Sequence, residues 1–165
     1  MSTVHERIYI ESPYTQAVVA FERRLGLAPG IAAGTCALTL VLPAGDRRQV
    51  ARVVTAATTR IPGEANYTTR YAITWKAGAL GDGVPTPGFL GALTLCAGET
   101  YAESMLELDG RYDPPGGIVG DLFDEVIGRR IAHASMSSLL DDVGRELHLE
   151  HAAIEEKKLA ARAAP

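Results

Sequence analysis

Pro114-Pro115-Gly116-Gly117 divides this chain into two parts that follow different periods. Ahead of it, apolar residues alternate with a period of two, as on the two faces of a pleated strand. After it, no proline occurs before Pro165, and apolar residues recur at helical spacing. Tyr112-Asp113 therefore reads as a strand exit, the prolines as a corner, and the remainder as one long helix over about residues 117–152. A long helix closing on a single curved antiparallel sheet tends to enclose a space. That points to a ligand pocket more firmly than to any reaction.

The first strand is read over residues 5–12, with Ile8 and Ile10 on one face and Tyr9 on the other. Pro13 opens a short helix over 14–25, because a proline's missing N–H is not needed in a first turn. Ala17, Val18, Phe21 and Leu25 recur at helical spacing, and Gly26 is the stop. Residues 27–34 form a loop or one further turn. From Thr35 the period becomes two: Cys36, Leu38, Leu40 and Leu42 share a face, and residues 49–59 continue as a β-branched run.

The fourth run has the clearest alternation. Tyr67, Thr69, Tyr71, Ile73 and Trp75 lie on one face, and Thr68, Arg70, Ala72, Thr74 and Lys76 on the other. Residues 77–88 are a long Gly/Pro-rich connection. Phe89, Gly91, Leu93 and Leu95 then oppose Leu90, Ala92, Thr94 and Cys96. A last run over 100–112 sets Ala102, Ser104, Leu106 and Leu108 against Glu103, Met105, Glu107 and Asp109. Hairpin-like spacing throughout implies a meander. The fold class is α+β: a curved antiparallel sheet of six or seven strands wrapped around the C-terminal helix. Residues 1–165 form one domain, with 153–165 expected as a frayed or disordered tail.

On a helical wheel, Ile118, Val119, Leu122, Phe123 and Val126 form one apolar stripe. Met136, Leu139, Leu140, Val143 and Leu147 form a second, slightly rotated from it. Between them the apolar side carries Arg130, His133 and Ser137. Either these polar groups hang over a gap between helix and sheet, or they sit at the stripe's edge and reach to water.

The net charge of −4, with basic residues scattered in doublets, argues against a general nucleic-acid binder. No run approaches the ~20 apolar residues that span a bilayer. No apolar segment follows a basic start, so a cytoplasmic chain is expected. Cys36 and Cys96 fall in apolar strand patterns and read as reduced core thiols. His148 and His151 are three apart on a helix, but no third ligand converges with them, so no metal is expected, nor any other cofactor. Alone, His133 is the one candidate general acid or base.

Strand, short helix, meander and long helix, with Pro-Pro-Gly-Gly before the last element, resemble the START-like (SRPBCC, helix-grip) superfamily. Residues 112–132, Tyr-Asp-Pro-Pro-Gly-Gly-Ile-Val-Gly-Asp-Leu-Phe-Asp-Glu-Val-Ile-Gly-Arg-Arg-Ile-Ala, look like the matching part of its bacterial polyketide cyclase/dehydratase-like and coenzyme-Q-binding-like branches. The stretch 27–34 is short, which cuts down the second small helix common there. The resemblance implies an apolar cavity between sheet and helix. It would hold a hydrophobic or amphipathic small molecule: a lipid, isoprenoid quinone or aromatic polyketide. Arg70, Tyr71, Ile73, Trp75, Arg130, His133 and Ser137 are the candidate ligand contacts. Two alternatives stand beside this one: a cyclase/dehydratase-type enzyme in which His133 or Arg130 assists proton transfer, and a protein–protein module. A homodimer is left open.

Overall fold

A computed structural model of the chain describes residues 2–43, 49–63, 65–78, 86–113 and 129–163. Strand β1 (Ser2–Ile10) leads through Pro13 into helix α1 (Tyr14–Arg24). Strands β2 (Ala33–Pro43), β3 (Gln49–Ile61), β4 (Thr68–Trp75), β5 (Gly88–Ala97) and β6 (Ser104–Asp113) follow as a meander. Helix α2 spans Arg129–Ala163. The sheet has six strands in the order β1-β6-β5-β4-β3-β2, every neighbouring pair antiparallel.

Local sequence accounts for the turns. α1 ends where Leu27 N–H donates to the Glu22 carbonyl at 2.9 Å and Gly26 N–H to that of Arg23 at 3.1 Å. This Schellman closure needs a left-handed residue, and Gly26 supplies φ of 72°. A Cβ there would also lie 2.1 Å from the Thr35 carbonyl oxygen. The stretch before β2 holds a single turn, Ile31 N–H to the Ala28 carbonyl, and no second helix.

The strand period is borne out on β1, β2, β4 and β6; β3, read as apolar on both faces, alternates as well, and on β5 Ala92 is buried on the face opposite Leu93. Thr69, Tyr71, Ile73 and Trp75 are buried on β4, and Leu106, Leu108 and Tyr112 on β6. Two residues depart from the faces they were expected to share, and Ala102 is one, exposed in the turn before β6. Tyr67 lies in a turn ahead of β4 with φ of 59° and an exposed ring, so it leaves the face it was expected to share. The chain must reverse at this point, and a turn outranks the alternation.

α2 runs parallel to β1: His133 meets Glu6, Gly144 meets Ile8 and His148 meets Glu11. At the crossing a Cβ on Gly144 would sit 2.4 Å from the Ile8 Cδ1, so its absence lets the helix settle on the strand. The second expected stripe is the one that packs. Met136, Leu139, Leu140, Val143 and Leu147 are all buried, and α2 lies against both β1 and β2. The first stripe, Ile118 to Val126, falls outside the described residues, as does Gly128. Further along, Arg23 and Arg24 of α1 pair with Glu150 and Glu146 at 2.8 and 2.7 Å.

The helix does not stop near residue 152 but continues to Ala163. No apolar stripe carries this extension. Ala, Glu, Lys and Leu hold it by intrinsic propensity, with a Glu155–Lys158 pair at 2.7 Å. Leu140→Ala is therefore expected to cost ~2–5 kcal/mol through cavity creation. Leu159→Ala, at a side chain 64% exposed, should stay within about 0.5 kcal/mol. Paired urea denaturation curves check the contrast.

Candidate ligand-binding site

The inner face of the sheet changes character along its length. Beneath α1 it is solid core. Tyr71 packs edge-to-face on Phe21, with centroids 5.4 Å apart, and donates its hydroxyl proton to the Glu22 carboxylate at 3.1 Å. Burial and that carboxylate together push the Tyr71 phenol well above its ordinary range. The stripe of α2 from Met136 to Leu147 is equally buried.

Toward the end where α2 begins, the inner face becomes aromatic and flat. Trp75 and Phe89 are cross-strand partners on β4 and β5. Their rings stack with centroids 4.6 Å apart and planes 19° from parallel. The indole N–H donates to the Pro87 carbonyl at 2.9 Å, which fixes the ring's tilt. Phe89 lies across Gly91 and Gly110, themselves register partners on β5 and β6. A Cβ on Gly91 would be 2.7 Å from the Phe89 ring and 2.3 Å from the Asp109 carbonyl oxygen; one on Gly110 would be 2.4 Å from the ring. Two glycines inside regular strands thus make a notch that one ring fills. Tyr112 is buried on the same face.

Polar groups occur on the β2–β3 hairpin and at the contact of β1 with α2. β3 pairs with β4 only from Ala57 onward, so the earlier part of the β2–β3 hairpin projects past the sheet. Its inner face carries Leu38, Leu40, Leu42 and Val54, all buried, and the half-buried Arg52. On the other side, His133 Nδ1 lies 2.5 Å from Glu6 Oε1, with the two side chains 45% and 21% exposed. A carboxylate can only accept, so this contact puts the proton on Nδ1 and leaves Nε2 for other chemistry.

A shallow hollow of about 490 Å³ opens beside this pair, lined by Val4, His5, Asp109, Arg111 and His133 among others. His5 Nδ1 sits 2.5 Å from Asp109 Oδ1 on the outer face. The hydrogen bond and charge of Asp109 raise the His5 pKa above 6.5.

The candidates from the sequence thus separate. Trp75 belongs to the aromatic floor. Ile73 pairs with Gly91 beside it. Tyr71 is core beneath α1. Arg70 lies on the outer face of β4 and is exposed, as the alternation requires of an even-numbered neighbour of Tyr71. Arg130 is also exposed. His133 and Ser137 lie half-buried on the flank of α2, and it is Glu6 on β1 that meets His133. Among the expected metal candidates, His148 faces Glu11 at 3.5 Å and His151 faces Gln16 at 2.8 Å. Burial raises the thiol pKa of both Cys36 and Cys96, but only Cys36 lies in the core as expected; Cys96 is half-buried.

Phe89, Glu6 and Arg52 were not singled out from the sequence. Each had a signal. Glu6 is an acid in phase with Val4, Ile8 and Ile10, and Arg52 a base in phase with Val54 and Ala56. Gly91 and Gly110 interrupt strands that have no need of glycine.

No protein-family model matches the chain, and no curated protein matches it. Among solved structures, TTHA0849 from Thermus thermophilus gives a TM-score of 0.55 at 12% identity, over 88% of this chain and 97% of that one. XoxI from Bacillus cereus gives 0.43 at 14% identity, over 94% and 99%. The Zhui aromatase/cyclase from Streptomyces sp. R1128 gives 0.46 at 14% identity, over 99% of each chain. At such identities the likeness is one of fold. A six-stranded antiparallel half-barrel gripping a C-terminal helix is the helix-grip architecture. The chain has the START-like fold.

Two outcomes are expected. Gly91→Ala and Gly110→Ala should each cost about 1–3 kcal/mol by overpacking and alter the near-ultraviolet circular dichroism of Trp75, since Phe89 must leave its notch. The His5–Asp109 pair adds its stability in full below pH 6.5 and loses it as pH rises through the raised value. NMR titration should place the His5 midpoint above 6.5 and show it falling in Asp109→Asn.

Proposed function

We propose that this chain binds a hydrophobic or amphipathic small molecule between the inner face of the sheet and α2. A lipid, an isoprenoid quinone and an aromatic polyketide are the classes that fit. The observation that carries this reading is the Trp75–Phe89 floor. A core needs only apolar volume, and interlocking branched side chains supply it well. Here two strands give up their side chains at Gly91 and Gly110 so that a ring lies flat beside a second ring. A flat aromatic surface orients a planar or extended apolar ligand. We assign the half-buried polar side chains Arg52, His133 and Ser137 to the polar end of an amphipathic one. Both rings are almost wholly buried.

Trp75 is the chain's sole tryptophan and reports directly on this surface. Native mass spectrometry of the freshly purified protein should reveal a retained ligand. Failing that, palmitate, ubiquinone-2 or 1,8-dihydroxyanthraquinone should quench Trp75 saturably. Phe89→Leu should weaken the effective probe by about tenfold, the order of one stacked aromatic contact. Arg70→Ala, on the outer face, should leave it unchanged. No retained species and no saturable response to any of these probes would favour the protein–protein reading.

A second reading is supported by the Glu6–His133 contact. A carboxylate that fixes an imidazole is the arrangement of a general acid–base pair, as a polyketide cyclase/dehydratase-type enzyme would require. It predicts that His133→Ala abolishes turnover of a bound polyketone while its affinity persists.

A further inference from the structure

At the far end of the sheet from the Trp75 floor, Tyr14, Tyr67 and Tyr101 converge from separate segments. They come from the first residue of α1, the β3–β4 turn and the β5–β6 turn, and they line one hollow of about 350 Å³ with Thr15, Glu99 and Thr100. Tyr14 and Tyr67 stand edge-to-face, with centroids 5.9 Å apart and planes at 81°. The Tyr14 hydroxyl bonds to Thr69 Oγ1, which fixes that ring from below. The other two rings are 62% and 85% exposed, so core packing does not explain them.

Tyr67 is also the one non-glycine residue with positive φ among the described residues. An aromatic side chain there costs of order 1–3 kcal/mol, and glycine or asparagine would serve the turn without it. The backbone is held by the Ala97 N–H donating to the Tyr67 carbonyl at 3.0 Å. A strained backbone thus presents an exposed ring to a hollow that two other tyrosines share.

The charge of the hollow has one sign. Glu99 is the sole charged side chain among its lining residues, with no lysine or arginine beside it. Ring faces carry negative potential, and a carboxylate adds to it. An anion is disfavoured, and a metal ion would find only one strong ligand. A weakly hydrated organic cation satisfies both features. We propose that this hollow is a binding site for the trimethylammonium group of a small soluble molecule, distinct from the site between sheet and α2.

Choline chloride is the probe, and 3,3-dimethyl-1-butanol, its neutral carbon isostere, the control. Tyrosine ring resonances are followed by NMR on the full chain at constant ionic strength. Choline should move the signals of Tyr14, Tyr67 and Tyr101 saturably in the millimolar range, and the alcohol should bind at least about tenfold more weakly. Tyr101→Leu should weaken choline about three- to tenfold, and Glu99→Gln about threefold, the range of an exposed cation–ring or charge contact. Tyr67→Gly should lose the response while its thermal midpoint stays or rises, which separates lost binding from lost folding. Equal affinity for the alcohol, no saturable shift by about 100 mM choline, or unchanged affinity in Tyr101→Leu and Tyr67→Gly would each overturn the proposal.

Discussion

One helix has to touch both edges of one sheet. β1 and β2 are the two outermost strands, and α2 packs on each. With strands about 4.8 Å apart, a flat six-stranded sheet would hold its edges about 24 Å from one another. A helix is only about 10–12 Å across with its side chains. The sheet must therefore curl until its first and last strands face the same cylinder. The buried stripe from Met136 to Leu147 is what rewards the curling, and Gly144 lets β1 come close enough to share it. The hairpin of β2 and β3, the concavity and the aromatic floor all follow from that closure.

Much of this was legible in one dimension. Strand alternation depends on nearest neighbours in sequence, so the two faces of β4, β5 and β6 could be separated, although the choice between the Tyr71 face and the Arg70 face as the inner one took the structure. The second helical stripe was legible for the same reason. Tyr67 was misassigned because a period says where a face lies and not where the strand begins. The extension past residue 152 was missed because it buries no stripe, and amphipathic patterning is blind to a helix held by propensity alone.

The site was less legible, because it is made by pairing. Trp75 was visible as the single indole on an apolar face, but its stacking on Phe89 depends on the β4–β5 register, and a shift of one residue would have turned the two rings apart. Glu6 and His133 are separated by most of the chain and meet only because α2 runs along β1. Residue type proposed the imidazole; topology chose its carboxylate. Arg70 illustrates the converse. Its charge made it an attractive ligand contact, and its parity put it on the opposite face of the strand from Tyr71.

The strand order also governs how the chain reaches this state. β2 through β6 are joined in sequence, so each pairing closes a short loop and can form with little loss of chain entropy. β1 is different: Ser2 pairs with Tyr112, Ile10 with Ser104, at the opposite end of the meander. β1 must wait for β6 before it has a partner, and it waits again for α2 to cover it. Contacts of such high contact order form slowly. Until β6 has been made, β1 is thus an unpaired, half-apolar strand, with the whole of the meander between it and its partner.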